Sequence, residues 1–163
     1  MVSYNPEGVP SSPFTLPPGR VLGLDVGSKT IGIAVTDELN LCAHALKTLD
    51  RKGTRADVVQ VEQLAKQYST RALVVGMPYD LDGNEGPRAV RVRVLIDALI
   101  AAGFDVATQD ERFSTVEATA TLMEADLSRA RRKALVDSMA AQVILTAWLD
   151  TQRADTSRDG EAE

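Results

Sequence analysis

Residues 23 to 37, GLDVGSKTIGIAVTD, constrain the fold more than any other stretch of the chain. Val21–Val26 is a short apolar run closed by Gly27 and Ser28, and Thr30–Thr36 is a second. The pattern predicts two buried strands joined as a hairpin through Gly-Ser-Lys. Yet Asp25 sits inside the first strand. An unpaired carboxylate in an apolar setting costs several kcal/mol, on the order of the net stability of a small domain. Something must compensate it.

Strand alternation puts Leu22, Leu24 and Val26 on one face and Val21, Gly23 and Asp25 on the other. On the neighbouring strand Gly32, Ala34 and Thr36 alternate with Ile31, Ile33 and Val35. If the small-residue faces coincide, Asp25 lies where a helix or a substrate can approach closely.

The rest of the chain predicts the order βββαβαβαα. A weaker third strand spans Ala43–Leu49, and a helix runs from Thr54 to Tyr68 with Val58, Val61, Leu64 and Ala65 at helical spacing. Ala72–Val75 is a strand. Val90–Ala102 is a helix announced by Pro87, and Phe104–Thr108 is another strand. Ser114 and Glu117, at capping-box spacing, open a short helix to Ala125, and a last helix covers Arg131–Leu149. Three antiparallel strands followed by crossover units imply an α/β fold with a mixed five-stranded sheet and helices on both sides.

Five of the seven prolines fall within residues 6–18, so residues 1–19 are expected to be a flexible extension. The charged residues 151–163 are expected to be a flexible tail, leaving one folded domain over 20–150. The net charge of −5 is carried largely at the ends. The near-neutral centre, with its clustered arginines, can still present a local basic surface. A lone Cys42 excludes a disulfide framework and fits a reducing, cytoplasmic setting. No run is long enough for a membrane span, and the N-terminus has no signal-peptide pattern.

Two further carboxylate positions stand out. Asp137 shares the apolar stripe of the last helix with Ala140, Ala141, Ile144 and Trp148; the plain alternative is a surface acid near a helix N-terminus. Asp110 and Glu111, in QDERFST, lie at a strand C-terminal end, where α/β sheets place functional groups; the alternative is a polar capping loop. A common explanation for Asp25, Glu111 and Asp137 is convergence on Mg²⁺, which takes carboxylate and phosphate oxygens and serves phosphodiester hydrolysis. Lys29, Arg88, Arg91, Arg112 and the run Arg129, Arg131, Arg132, Lys133 would suit phosphates; a solvated helix face is the alternative for that run. Aromatic residues make up 4% of the chain, which disfavours binding by base stacking.

Four segments, GLDVGSKTIGIAVTD, VVGMPYDLDGNEGPRA, DERFST and RKALVDSMAAQVILTAWLD, in this order and spacing, resemble the YqgF/RuvX family. Its members are described as Holliday junction resolvases and as pre-16S rRNA nucleases, and the resemblance covers residues 20–150. It implies an RNase H-like fold similar to that of RuvC. It implies Asp25, Glu111 and Asp137 as catalytic metal ligands, with Asp110 beside them, and Mg²⁺, or Mn²⁺ in its place, as cofactor. It also implies endonucleolytic trimming of the 5′ end of the small-subunit rRNA precursor.

By the same resemblance the loop carrying Gly76, Pro78, Asp82, Gly83 and Gly86 borders the active site and would contact substrate; the alternative is a surface loop that its acids merely solubilise, and its spacing is neither an EF-hand nor a P-loop. Structured RNA is the expected partner, with branched DNA as the alternative and a monomer or homodimer as the assembly. Two rival classes stand beside the nuclease. One is an ATPase of the actin and Hsp70 type, which needs two such domains; the other is a non-catalytic nucleic-acid-binding or transcription-associated module, which would have lost an acid.

Overall fold

The computed structural model describes residues 19–113 and 128–161. Its elements are β1 (Leu22–Val26), β2 (Thr30–Thr36), β3 (Ala43–Asp50), α1 (Thr54–Gln67), β4 (Ala72–Met77), α2 (Pro87–Ala101), β5 (Asp105–Asp110), a 3₁₀ turn (Glu111–Phe113) and α3 (Arg129–Glu161). Residues 1–18 of the extension expected over 1–19, and the short helix expected from Ser114 to Ala125, lie outside the described residues.

The sheet order is β3-β2-β1-β4-β5. β1–β2 and β2–β3 are antiparallel, and β4 pairs parallel with both β1 and β5. This is the mixed five-stranded sheet that the strand order predicts, and it agrees with the RNase H-like fold that the family resemblance implies. The alternation of apolar residues sorts the two faces. Leu22, Leu24, Ile31, Ile33, Leu73, Val75 and Val106 pack under α1 and α2, while Val21, Ala34, Val74 and Ala107 pack under Ala141, Ile144, Leu145, Trp148 and Leu149 of α3.

The hairpin register sets Gly23 opposite Ala34 and Asp25 opposite Gly32, so the small-residue faces do coincide. The helix lying on them is α3. A Cβ at Gly32 would stand 1.9 Å from the backbone carbonyl oxygen of Asp137. No side chain fits there, and the backbone of α3 rests on bare β2. Gln142 Nε2 donates to the Ala43 carbonyl at 3.0 Å, and Thr48 Oγ1 donates to the Ala134 carbonyl at 2.6 Å, which ties the helix to β3.

Two boundaries differ from expectation by three residues or more. Pro87 is the first residue of α2 rather than its herald, because proline's fixed φ suits the first turn and the lost N–H would have had no helical partner. The last helix, expected to end at Leu149, continues to Glu161, so residues 151–161 extend it where a flexible tail was expected. The segment contains no proline to stop it. Its first turn is also held: Thr151 Oγ1 donates to the Ala147 carbonyl at 3.0 Å, and the Arg153 guanidinium donates to the carbonyls of Asn40 and Leu41.

Candidate active site

Asp25 lies one residue before the end of β1, and Glu111 is the first residue after β5. Both strands end at the same edge of the sheet because β4, between them, runs parallel to each. The two carboxyls are half-buried and share a side-chain hydrogen bond. Gly76 of β4 makes this meeting possible: a Cβ there would fall 2.6 Å from Glu111 Oε1 and 2.5 Å from Ile144 Cδ1. The glycine expected in a substrate loop is thus part of the floor beneath Glu111.

The electrostatics follow from the proximity. Burial raises Asp25 above the ordinary carboxylate range; the bond from Glu111 lowers it, the charge of Asp137 raises it and Arg88 lowers it, with a net upward shift. Glu111 is pushed up to about 8, by burial first, then by the charge of Asp25 and the hydrogen bond to it, with Arg88 opposing. Two carboxylates this close do not both ionise without compensation. The pair therefore shares a proton, and both carboxyls are raised, Glu111 to about 8.

Asp137 reaches the same region from α3. Thr30 Oγ1 donates to its Oδ2 at 2.7 Å. Thr30 occupies the same face of β2 as Gly32, so one residue seats the helix and the other orients its carboxylate. Sequence reasoning passed over Thr30. Its only signal was its place on the small-residue face, since its partner lies 107 positions away.

Asp110 is placed differently. Its carboxylate accepts from the Arg112 backbone N–H at 2.9 Å and from the Arg112 guanidinium, with Nη2 at 2.6 Å. Burial raises its pKa, but these bonds outweigh burial and leave it below the usual carboxylate range. Arg112 is thereby committed to Asp110, and its guanidinium lies 5.8 Å from the Tyr79 ring centroid and reaches toward the Leu81 carbonyl.

The loop from Pro78 to Gly86 is a tight turn. Gly83 N–H donates to the Asp80 carbonyl at 2.8 Å, Asp82 accepts from the Asn84 backbone at 3.2 Å, and Gly83 has a φ of +87°. Gly86 packs beside the Asp80 carboxylate, and Pro78 is half-buried at the end of β4. Asp82 is exposed, and its carboxylate accepts from the backbone and side chain of Asn84.

Beside Asp137 opens a cleft of about 390 Å³. It is lined by the Gly27–Lys29 turn, Thr30, Arg51, Arg88, Arg91 and Lys133, among others. Lys29, Arg88 and Lys133 are brought together as expected. Arg131 and Arg132 stand outside the lining, and Arg51 joins from the loop after β3. Among the described residues Lys29, Arg91 and Lys133 make no ion pair with a carboxylate. The cleft thus presents cationic groups to a ligand, and Arg88 links it electrostatically to Asp25 and Glu111.

The donor set suits a hard divalent cation, being all carboxylate oxygen. The raised Asp25–Glu111 pair is a place where a cation would replace a proton. As the side chains stand, however, no three His, Cys, Asp or Glu groups among the described residues are gathered closely enough to hold a metal ion. Asp25 and Glu111 meet; Asp137 is turned to Thr30. Among the described residues no helix is long and apolar enough to cross a membrane.

A family model described as "RuvX: Holliday junction resolvase" matches residues 19–151. A protein of Myxococcus xanthus named "Putative pre-16S rRNA nuclease" is 47% identical over 135 residues, covering 82% of this chain and 89% of its own. One of the same name from Symbiobacterium thermophilum is 45% identical over 136 residues, covering 83% and 94%. Among solved structures, Thermus thermophilus RuvC in complex with a Holliday junction substrate aligns with a TM-score of 0.49 at 17% identity, covering 83% of this chain and 96% of that one.

Proposed function

Since the chain belongs to the RuvX family, we propose that it is a metal-dependent endonuclease that hydrolyses phosphodiester bonds in structured RNA, maturing the 5′ end of the small-subunit rRNA precursor in the cytoplasm. The observation that carries the reading is the Asp25–Glu111 pair, which Arg88 links electrostatically to a cationic cleft lined by Asp137. Acids beside bases of this kind are suited to a phosphodiester: the carboxylates hold a cation and the guanidinium and ammonium groups hold phosphate oxygens.

Asp25, Glu111 and Asp137 are the residues that would hold Mg²⁺, or Mn²⁺ in its place. The chemistry so supplied is activation of a water and stabilisation of the leaving oxygen. With their shared proton released, Asp25 and Glu111 would be two acceptors for the ion. Thr30 fixes the orientation of Asp137, and Gly32 fixes the height of the helix that bears it. Arg88, Lys29 and Lys133 hold the neighbouring phosphates without reading sequence. Asp110 keeps Arg112 in place beside the loop, a supporting role rather than that of a ligand.

The test is cleavage of a 5′-extended small-subunit rRNA precursor with Mg²⁺ by the wild type and Asp25→Asn. The wild type should cut near the mature end and the variant should be slower by about 10²–10³-fold, the scale of losing one electrostatic group at a reacting centre. Equal rates would remove Asp25 from the site. A four-way DNA junction run in parallel decides between RNA processing and junction resolution. Binding without cutting of either substrate would favour the non-catalytic module.

A further inference from the structure

Asp57 is fully buried near the start of α1, at the edge of the apolar stripe rather than on the solvent face. Its Oδ2 accepts from Arg51 Nε at 3.0 Å, and its Oδ1 accepts from the Lys52 backbone N–H at 2.8 Å and from Gln60 Nε2 at 3.4 Å. Arg51, largely withdrawn from solvent, does not stop at this pair. Its Nη1 donates to the Gly27 carbonyl at 3.1 Å, and its backbone N–H donates to the Lys29 carbonyl at 2.9 Å. Arg51 therefore grips the Gly-Ser-Lys turn on both sides of Ser28, with Asp57 behind it.

The turn needs such a grip. Its one internal backbone bond runs from Gly27 N–H to the Thr30 carbonyl at 2.8 Å, and Gly27, Ser28 and Lys29 are all exposed. A buried ion pair of this kind contributes little net stability compared with apolar packing, because desolvation offsets the attraction. What it contributes is geometry. The turn it holds forms one wall of the cationic cleft and carries Lys29.

We propose that Asp57 is a positioning residue which, through Arg51, holds the Gly27–Lys29 turn so that Lys29 meets a backbone phosphate of the nucleic-acid substrate in the cleft beside Asp137. The proposal rests on the nuclease reading above. It assigns to α1, which bears none of the cleft's lining residues, a part in substrate binding.

The experiment is a double-mutant cycle on binding, carried out in EDTA so that neither cleavage nor metal loading enters. The probe is a fluorescein-labelled RNA hairpin with a 5′ extension, followed by anisotropy. Each variant is first shown by thermal melting to be folded at the assay temperature. Arg51→Lys preserves the charge and the backbone bond to Lys29 but cannot bridge Asp57 and the Gly27 carbonyl together, so it should weaken binding about tenfold, the equivalent of one hydrogen bond to a charged group. Lys29→Gln should weaken it similarly, and the double variant should be no weaker than either alone. Asp57→Asn should behave as Arg51→Lys; if it does not fold, Arg51→Lys carries the test. Kd values for Arg51→Lys within twofold of wild type, or full additivity with Lys29→Gln, would overturn the proposal while leaving the nuclease reading intact. A wild type that does not bind the RNA would overturn both.

Discussion

Glu111 and Asp25 share a hydrogen bond between their carboxyls, and burial together with the Asp25 charge pushes Glu111 up to about 8. The sign of its effect on stability follows from linkage. Between the ordinary carboxyl pKa near 4.5 and about 8, the folded chain binds a proton that the unfolded chain has released. Stability of the metal-free protein therefore falls as pH rises through that window. Melting temperatures taken in EDTA from pH 5 to 8.5 should decline, and Glu111→Gln, which keeps a donor but cannot ionise, should flatten the decline. An unchanged slope in Glu111→Gln would show that the proton sits elsewhere. Mg²⁺ should restore most of the loss at high pH, since a ligand of the folded state stabilises by mass action.

Gly32→Ala tests the seating of α3. The added carbon would lie 1.9 Å from a backbone oxygen that cannot turn aside. The helix must lift or β2 must bend, at a cost of about 1–3 kcal/mol or more. Urea unfolding should show that loss together with abolished cleavage. Gly53→Ala provides a contrast: at that glycine nothing lies within 4 Å of the added carbon, although φ is +104°. Any loss there would come from backbone conformation and should leave cleavage unaffected.

Thr30→Val removes the donor to Asp137 while conserving shape and β propensity. Groups that orient a metal ligand are worth about 10–100-fold in affinity or activity. Cleavage should fall by that factor, and the Mg²⁺ concentration for half-maximal rate should rise. Thr30→Ser, which retains the hydroxyl, should recover most of the activity. Equal behaviour of the two variants would mean that the hydroxyl does not matter.

Each phosphate-binding cation contributes about one to the salt slope of nucleic-acid binding. Lys133→Gln and Arg88→Gln should therefore each reduce the slope of log K against log salt by about that amount. Arg131→Gln, whose side chain stands outside the cleft, should leave it nearly unchanged.

Much of this arrangement is legible in the one-dimensional pattern because strand alternation is a strict period of two. Once Leu22, Leu24 and Val26 claim the core, Asp25 must face Gly32's side of the sheet, and an acid there demands a partner. The polar contacts were less legible. Thr30 and Asp137 are brought together only by the path of a helix across the sheet, and nothing local to Thr30 announces it. Asp57 reads as an ordinary first-turn acid, since its burial depends on Arg51 folding back from the preceding loop. Arg112 reads as a phosphate ligand, yet its neighbour two positions back takes the guanidinium first. The continuation of the last helix beyond Leu149 was illegible for a similar reason: Arg153 finds its carbonyls on the β2–β3 loop, far away in sequence.

The bare surface under α3 has a consequence for how such a chain can change over generations. Exchanging a carboxylate for its amide at position 25, 111 or 137 removes chemistry but keeps the side chain's shape, so the fold loses at most a polar contact. Adding one carbon at position 32 removes chemistry and fold together. A descendant freed from selection for catalysis would therefore shed its acids long before its glycines. In such a lineage the vacant seat of the helix would outlast the reaction it was shaped to serve.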